Sequence, residues 1–147
     1  MRIADICTSR VEYISLNASA RDAAEKMRES RISTLVVLAH NGTTPIGILT
    51  DRDLVLKVLA KGASAEAVSV GDVMTRDVGT CKGRHELFDA VQIMHRYGVR
   101  RLPVLDEDGA MIGLVSADDI YSALAAHMRE LSQAMLREQL HELEAPQ

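Results

Sequence analysis

The chain contains the stretch Gly47-Ile48-Leu49-Thr50-Asp51-Arg52-Asp53 and repeats its pattern later as Gly113-Leu114-Val115-Ser116-Ala117-Asp118-Asp119. In both copies a glycine precedes a short aliphatic run, a hydroxyl residue follows it, and an aspartate comes three residues after the hydroxyl. A hydroxyl followed at the third position by an acid is typical of a helix N-terminus. Each copy therefore predicts a buried strand that runs directly into a helix.

The rest of the chain is duplicated around this motif, which indicates a repeat architecture. Identical residues recur at matched positions when Asp5 is laid over Asp72. The matched pairs include Thr8 with Thr75, Val11 with Val78, Asp22-Ala23 with Asp89-Ala90, Met27 with Met94, Leu35 with Leu102, Val37-Leu38 with Val104-Leu105 and, after one residue drops out of a turn, Asp53 with Asp119. The two copies span about residues 3–61 and 70–127.

Each copy predicts the same order of elements: strand, helix, strand, strand and helix (β-α-β-β-α). The first helix of each copy is amphipathic, with apolar residues such as Ala23 and Met27, or Ala90 and Met94, recurring at helical spacing. A unit of about sixty residues is too small to bury its apolar faces alone. The predicted class is therefore α+β, with two tandem repeats packed on each other with pseudo-twofold symmetry.

These residues resemble the CBS repeat, which is named after cystathionine beta-synthase. The resemblance rests on Asp72-Val73-Met74-Thr75-Arg76-Asp77-Val78 as the opening of a repeat, on Leu102-Pro103-Val104-Leu105-Asp106 as its central strand, and on both closing motifs quoted above. It implies that residues 1–127 form one Bateman module, in which two repeats pack through their sheets. It also implies that two modules pair as a homodimer.

The hydroxyl and carboxylate of each closing motif support two interpretations. A capping box, in which the two residues satisfy the backbone N–H groups of the helix start, explains Thr50 with Asp53 and Ser116 with Asp119. The same carboxylate can instead accept hydrogen bonds from the hydroxyls of a ribose, and a helix start suits a phosphate. The resemblance implies that Asp53 and Asp119 hold ribose, whereas Thr50 and Ser116 lie near phosphate.

Arginines supply the positive charge that a phosphate needs. Arg100 and Arg101 precede the central strand of the second copy, where the resemblance implies phosphate contacts, whereas the first copy has Ser33-Thr34 there. Arg52 lies inside the first closing motif, and we expect it to serve a different end of a shared cleft. Each arginine also has the plain interpretation of a solvated surface charge.

The resemblance places adenine against the first strand of each copy. The expected contacts are Val11, Tyr13, Val78 and Thr80, all of which are also ordinary core or edge positions. The candidate ligands are AMP, ADP, ATP and S-adenosylmethionine, each as a regulatory ligand, and no cofactor is required.

Composition limits the function classes of the 147-residue chain. A formal net charge of -4 argues against nucleic-acid binding, and no apolar run approaches the ~20 residues of a membrane span. The start of the chain lacks the apolar stretch of a secretory signal, so the cytoplasm is the expected compartment. The core must be aliphatic, because the chain has no Trp, one Phe and three Tyr.

No catalytic or metal-binding motif stands out. The five histidines and two cysteines lack metal-ligand spacing, so Cys7 and Cys81 are expected to be reduced thiols. The sequence has no Gly-rich phosphate loop and no nucleophile with an adjacent base. We therefore expect a regulatory binding module and not an enzyme.

The residues after the second copy predict one long helix, because neither Gly nor Pro occurs between Asp118 and Glu144. Apolar residues recur along it at helical spacing, at Leu124, Met128, Leu131 and Met135. The extension over residues 128–147 either folds back onto its own module, forms a dimer contact or docks another protein. The last interpretation gives an alternative function, a structural adaptor without a physiological nucleotide that binds a regulated partner through this helix.

Overall fold

A computed structural model of the protein describes residues 1–146. The helices are α1 (Ile3–Ile6), α2 (Ala20–Ser30), α3 (Asp51–Leu54), α4 (Val70–Val73), α5 (Leu87–Tyr97) and α6 (Ala117–Glu144). The strands are β1 (Tyr13–Ser15), β2 (Thr34–Leu38), β3 (Pro45–Thr50), β4 (Thr75–Arg76), β5 (Cys81–Lys82), β6 (Arg101–Leu105) and β7 (Met111–Ser116). Helix α3 continues as a π-helical turn over Val55–Leu59.

The strands form two small sheets, in the orders β1-β2-β3-β4 and β5-β6-β7. In each sheet the first pair of strands is parallel and the next pair is antiparallel. The register shifts at the same place in both, between Val37 and Leu38 and between Val104 and Leu105. These features confirm the predicted α+β class with two tandem repeats.

The alternation of side chains along β2 builds two different cores. Leu35 and Val37 are fully buried among residues of α2 and β3. Val36 points to the opposite face of the sheet and joins a separate cluster that contains Val78 and Leu114 of the second repeat. This cluster joins the two repeats through their sheets, and full burial of each such side chain contributes about 1.5–3 kcal/mol.

The opening segment of each repeat packs against the other repeat. Ile3 of α1 is fully buried in the core of the second repeat, and Thr8 forms a β-bridge with Leu114 of β7. In the same way Val70 and Val73 of α4 belong to the core of the first repeat, and β4 pairs with β3. Each hydrophobic core therefore combines the strands and helices of one sequence repeat with the opening segment of the other.

Two glycines make room for these crossing segments. A Cβ atom on Gly113 would lie 2.6 Å from the carbonyl oxygen of Thr8, and one on Gly47 would lie 2.8 Å from that of Thr75. Real Cβ atoms do not approach so closely, so the glycine of each closing motif serves the contact between repeats. Glycine recurs at this position of both closing motifs because a side chain there would collide with the crossing segment.

Helix α6 leaves the module after its third turn. Ile120 and Ala123 are its buried residues, whereas all side chains over residues 127–144 are exposed. The extension does not fold back onto its own repeats, so the interpretations that remain are a dimer contact and a docking helix. Within residues 1–146, no helix combines the length and the apolar character needed to cross a bilayer.

Candidate functional site

Ser116 and Asp119 form a complete capping box at the start of α6. The carboxylate oxygen Oδ2 of Asp119 accepts a hydrogen bond from the Ser116 amide at 2.8 Å, and Ser116 Oγ accepts one from the Asp119 amide at 3.1 Å. The capping interpretation therefore applies. The cap uses only Oδ2 of the Asp119 carboxylate. The other oxygen, Oδ1, has no hydrogen-bond or ion-pair partner within residues 1–146.

Thr50 and Asp53 form the same box at the start of α3, with one addition. The Thr50 amide donates to Oδ2 of Asp53 at 2.9 Å, and Thr50 Oγ1 accepts from the Asp53 amide at 3.2 Å. The ammonium group of Lys57 lies 3.1 Å from Oδ1 of Asp53 and donates to the carbonyl oxygen of Val73 at 3.0 Å. Both carboxylate oxygens of Asp53 are thus engaged.

A cleft of about 330 Å³ opens beside Asp119. Its walls come from both repeats: Thr8, which bridges to Leu114, leads into the lining segment 8–12, the turn between α2 and β2 adds residues of the first repeat, and the start of α6 adds residues of the second. The lining residues are Thr8, Arg10, Val11, Glu12, Arg31, Ile32, Ser33, Thr34, Arg101, Leu114, Ser116, Asp118 and Asp119. The cleft therefore combines hydroxyls, carboxylates, guanidinium groups and a small apolar wall.

The cleft brings together part of the predicted phosphate and ribose set. Ser116, Asp119 and Arg101 line it, together with Val11 from the predicted adenine set. Arg100 does not line it; its side chain is exposed and lies 3.8 Å from Asp118. Arg101 is the first residue of β6, whereas Arg100 precedes the strand.

The other predicted residues lie outside this cleft. Thr50, Arg52 and Asp53 are not among its walls. Tyr13 lines a different hollow of about 290 Å³ beside β2. Val78 and Thr80 line a third, of about 250 Å³. The four residues predicted to contact adenine are thus distributed over three concave regions.

Sequence reasoning did not select Arg10 and Arg31, although both line the cleft. The signal that could have found them is the difference between the two repeats. The residue matched to Arg10 is Asp77, and the residue matched to Arg31 is Gly98. Charges that one copy has and the other lacks are not needed for the shared fold.

The two thiols lie in the core of the second repeat. Burial, with a smaller contribution from Asp89, raises the pKa of the Cys81 thiol to about 11, and burial also raises the pKa of Cys7. Both thiols are free, and a protonated thiol is a poor nucleophile and metal ligand. No cluster of three or more metal-ligating side chains comes together within residues 1–146.

The chain is similar in sequence and in fold to known proteins. An uncharacterized protein of Methanopyrus kandleri is 41% identical over 102 residues, which are 69% of this chain and 52% of that protein. The chain thus spans about half the length of this curated relative. Among solved structures, a CBS-domain protein from Burkholderia ambifaria MC40-6 superposes with a TM-score of 0.74 and 28% identity over 86% of this chain and 95% of that one.

A second solved structure is that of the Arabidopsis thaliana protein CBSX2 in complex with AMP, with a TM-score of 0.67 and 27% identity over 86% of this chain and 98% of that one. The family model described as "CBS domain" matches residues 3–60 and 70–126. These two matches coincide with the duplicated strands and helices described above. The chain therefore belongs to the CBS domain family and carries two CBS repeats.

Proposed function

We propose that the chain is a non-catalytic regulatory module that binds an adenine nucleotide in the cleft beside Asp119. The observation that carries this proposal is that Asp119 lines a cleft and that its Oδ1 has no partner within residues 1–146, while its Oδ2 caps α6. A carboxylate held in this way can accept hydrogen bonds from the vicinal hydroxyls of a ribose without giving up the cap. Capping and ligand binding are then compatible.

The other walls suit the remaining parts of a nucleotide. Val11 and Leu114 offer an apolar surface for a base, and Leu114 belongs to the cluster between the sheets. Arg101 supplies a guanidinium group for phosphate. A further support is that CBSX2, which has a similar structure, was solved with AMP.

We expect regulation to act through a homodimer. Large apolar side chains are exposed on α5 and on the first turns of α6, including Phe88 (69% exposed) and Tyr121 (67% exposed). Monomeric proteins rarely leave such faces open. A nucleotide that binds one dimer arrangement more tightly than another shifts the population toward it, and such a shift needs no chemical step.

A specific observation favours the second candidate, an adaptor without a nucleotide. The apolar residues Met128, Leu131 and Met135 of α6 are all more than half exposed and follow helical spacing. Such a face can lie in the groove of another protein. In that case the carboxylate of Asp119 serves only as a cap.

Thermal unfolding with added nucleotide distinguishes the two functions. AMP or ADP at ~100 times its dissociation constant adds about 2.7 kcal/mol to the free energy of unfolding. Asp119→Ala should abolish this gain, whereas Asp53→Ala, which removes the matched capping carboxylate, should retain it. If no adenosyl compound raises the melting temperature of the unmodified protein, the adaptor function is favoured.

A further inference from the structure

Three arginines from three separate segments meet at the cleft beside Asp119. Arg10 lies in the segment that crosses between repeats, Arg31 follows α2, and Arg101 begins β6. Within residues 1–146 none of these guanidinium groups has an ion pair or a side-chain hydrogen bond. Three unmatched positive charges beside one cleft repel each other, and an anion would relieve this repulsion.

The acidic residues of the same cleft already have partners. Glu12 lies 3.9 Å from the ammonium group of Lys26, and Asp118 lies 3.8 Å from Arg100. Asp119 accepts the Ser116 amide in the cap. Glu12 and Asp118, two of the three acids that line the cleft, thus each have a cationic neighbour, whereas the three arginines have no acidic one within residues 1–146.

Arg31 occupies a backbone position that favours glycine. Its φ of 55° and ψ of 44° are left-handed, and the matched residue of the second repeat is Gly98, with φ of 65° and ψ of 37°. A side chain in this conformation costs free energy, and no ion pair or hydrogen bond of the Arg31 guanidinium group within residues 1–146 offsets that cost. Such strain is typical of a residue kept for binding.

We propose that the ligand of this cleft carries a chain of two or more phosphates, so that the cleft selects nucleoside di- or triphosphates over AMP and over S-adenosylmethionine. This inference rests on the proposed function, because it assumes that Asp119 holds the ribose. A single phosphate occupies one or two guanidinium groups, whereas a longer chain reaches all three. The sulfonium cation of S-adenosylmethionine would face three like charges.

Arg10 and Arg31 distinguish this cleft from the matched region beside Asp53. Their matched residues, Asp77 and Gly98, offer a negative charge and no side chain. A phosphate chain beside Asp53 would therefore lack the counterparts of both of these guanidinium groups.

Titration calorimetry with adenosine, AMP, ADP, ATP and S-adenosylmethionine, at low salt and without divalent cations, tests the inference. The dissociation constant should fall by about tenfold or more from AMP to ADP, since one charge-assisted hydrogen bond contributes ~1.5–3 kcal/mol. S-adenosylmethionine should bind no more tightly than adenosine. The advantage of ADP should shrink as salt is added.

Substitution of single arginines tests whether they cause the gain in affinity from AMP to ADP. Arg10→Gln and Arg31→Gln should each bring the affinity for ADP close to that for AMP, so that the ratio of the two dissociation constants falls toward one. Arg129→Gln, on the exposed part of α6 and away from the cleft, is the matched control. It should bind the five compounds with the same order of affinities as the unmodified protein.

The outcomes separate this inference from the proposed function. Adenosine and AMP binding that requires Asp119, together with ADP binding no more tightly than AMP, would leave the proposed function standing and overturn the inference. S-adenosylmethionine binding more tightly than AMP would overturn it as well. Absence of binding by all five compounds would overturn both.

Discussion

The ammonium nitrogen of Lys57 lies 3.1 Å from Oδ1 of Asp53, whereas the matched Asp119 is followed one turn later by the buried Ala123. The two aspartates have the same cap and the same place in the repeat. Lys57 forms an ion pair with Asp53 from the next turn of its helix, whereas Asp119 has no ion-pair partner within residues 1–146. The pseudo-symmetry of the backbone therefore does not extend to the chemistry of the two carboxylates.

Lys57→Ala, which copies the second repeat, should add a weak second binding event for adenosine. The unmodified chain should bind one adenosine, because Oδ1 of Asp53 is occupied by Lys57. Titration calorimetry measures both stoichiometries. The second site should gain no affinity from ADP, since it has Asp77 where the first has Arg10. Two equal sites in the unmodified protein would contradict this prediction.

Arg31→Gly should stabilise the fold while it weakens nucleotide binding. Relief of the left-handed conformation adds about 1 kcal/mol to the free energy of unfolding, and loss of the guanidinium group lowers the affinity for ADP. Urea unfolding measured beside calorimetry checks both effects. Arg31→Ala, which loses the charge but keeps the strain, is the control. A destabilised Arg31→Gly variant would show that the side chain has a structural role.

Gly113→Ala should destabilise the protein by about 1–3 kcal/mol, the usual cost of overpacking. The new methyl group would press on the carbonyl oxygen of Thr8, and Thr8 also lines the cleft. Nucleotide affinity, measured well below the melting temperature, should therefore fall too. Gly47→Ala meets the matched crossing segment and should lower stability without changing affinity. Equal affinities for both variants would disprove the link between Thr8 and the ligand.

The Cys81 thiol should make stability fall between pH 9 and pH 11. Burial raises its pKa in the folded protein from 9.0 to about 11, so the unfolded chain loses its proton first as pH rises. The stabilisation is complete below pH 9 and is lost as pH rises toward 11, by about 2–3 kcal/mol in total. Urea unfolding across this range measures the slope, and Cys81→Ala should reduce it.

Truncation after His127 should leave the melting temperature of the module unchanged. All side chains over residues 127–144 are exposed, so their removal takes no contact from either core. Differential scanning calorimetry at low protein concentration compares the truncated and full chains. A loss of several degrees would show that the extension contributes to folding through a second copy of the chain.

The duplicated pattern was sufficient for the class of fold, for the order strand, helix, strand, strand and helix within each repeat, and for the length of α6, but it did not predict α1, α4 or β4. These features follow from local rules, since strand alternation, helical spacing and the hydroxyl-to-acid distance in Thr50-x-x-Asp53 are all properties of neighbouring residues. The capping boxes at Ser116 and Thr50 were readable for the same reason. The sequence also contained the difference between Lys57 and Ala123, but the identical residues that define the repeats do not reveal it.

The cleft could not be derived in the same way, because its walls come from segments far apart in the chain. Thr8 and Arg10 share the cleft with Asp119 only because the opening segment of the first repeat crosses to the second, and Ser33 shares it with Ser116 only because the two repeats pack on each other. The separation of Arg100 from Arg101 depends on where β6 begins, because Arg101 is its first residue and Arg100 precedes it. The sequence by itself determined two repeats and two capped carboxylates; tertiary packing decided that, of the two capped aspartates, Asp119 is the one that shares a cleft with Arg10, Arg31 and Arg101.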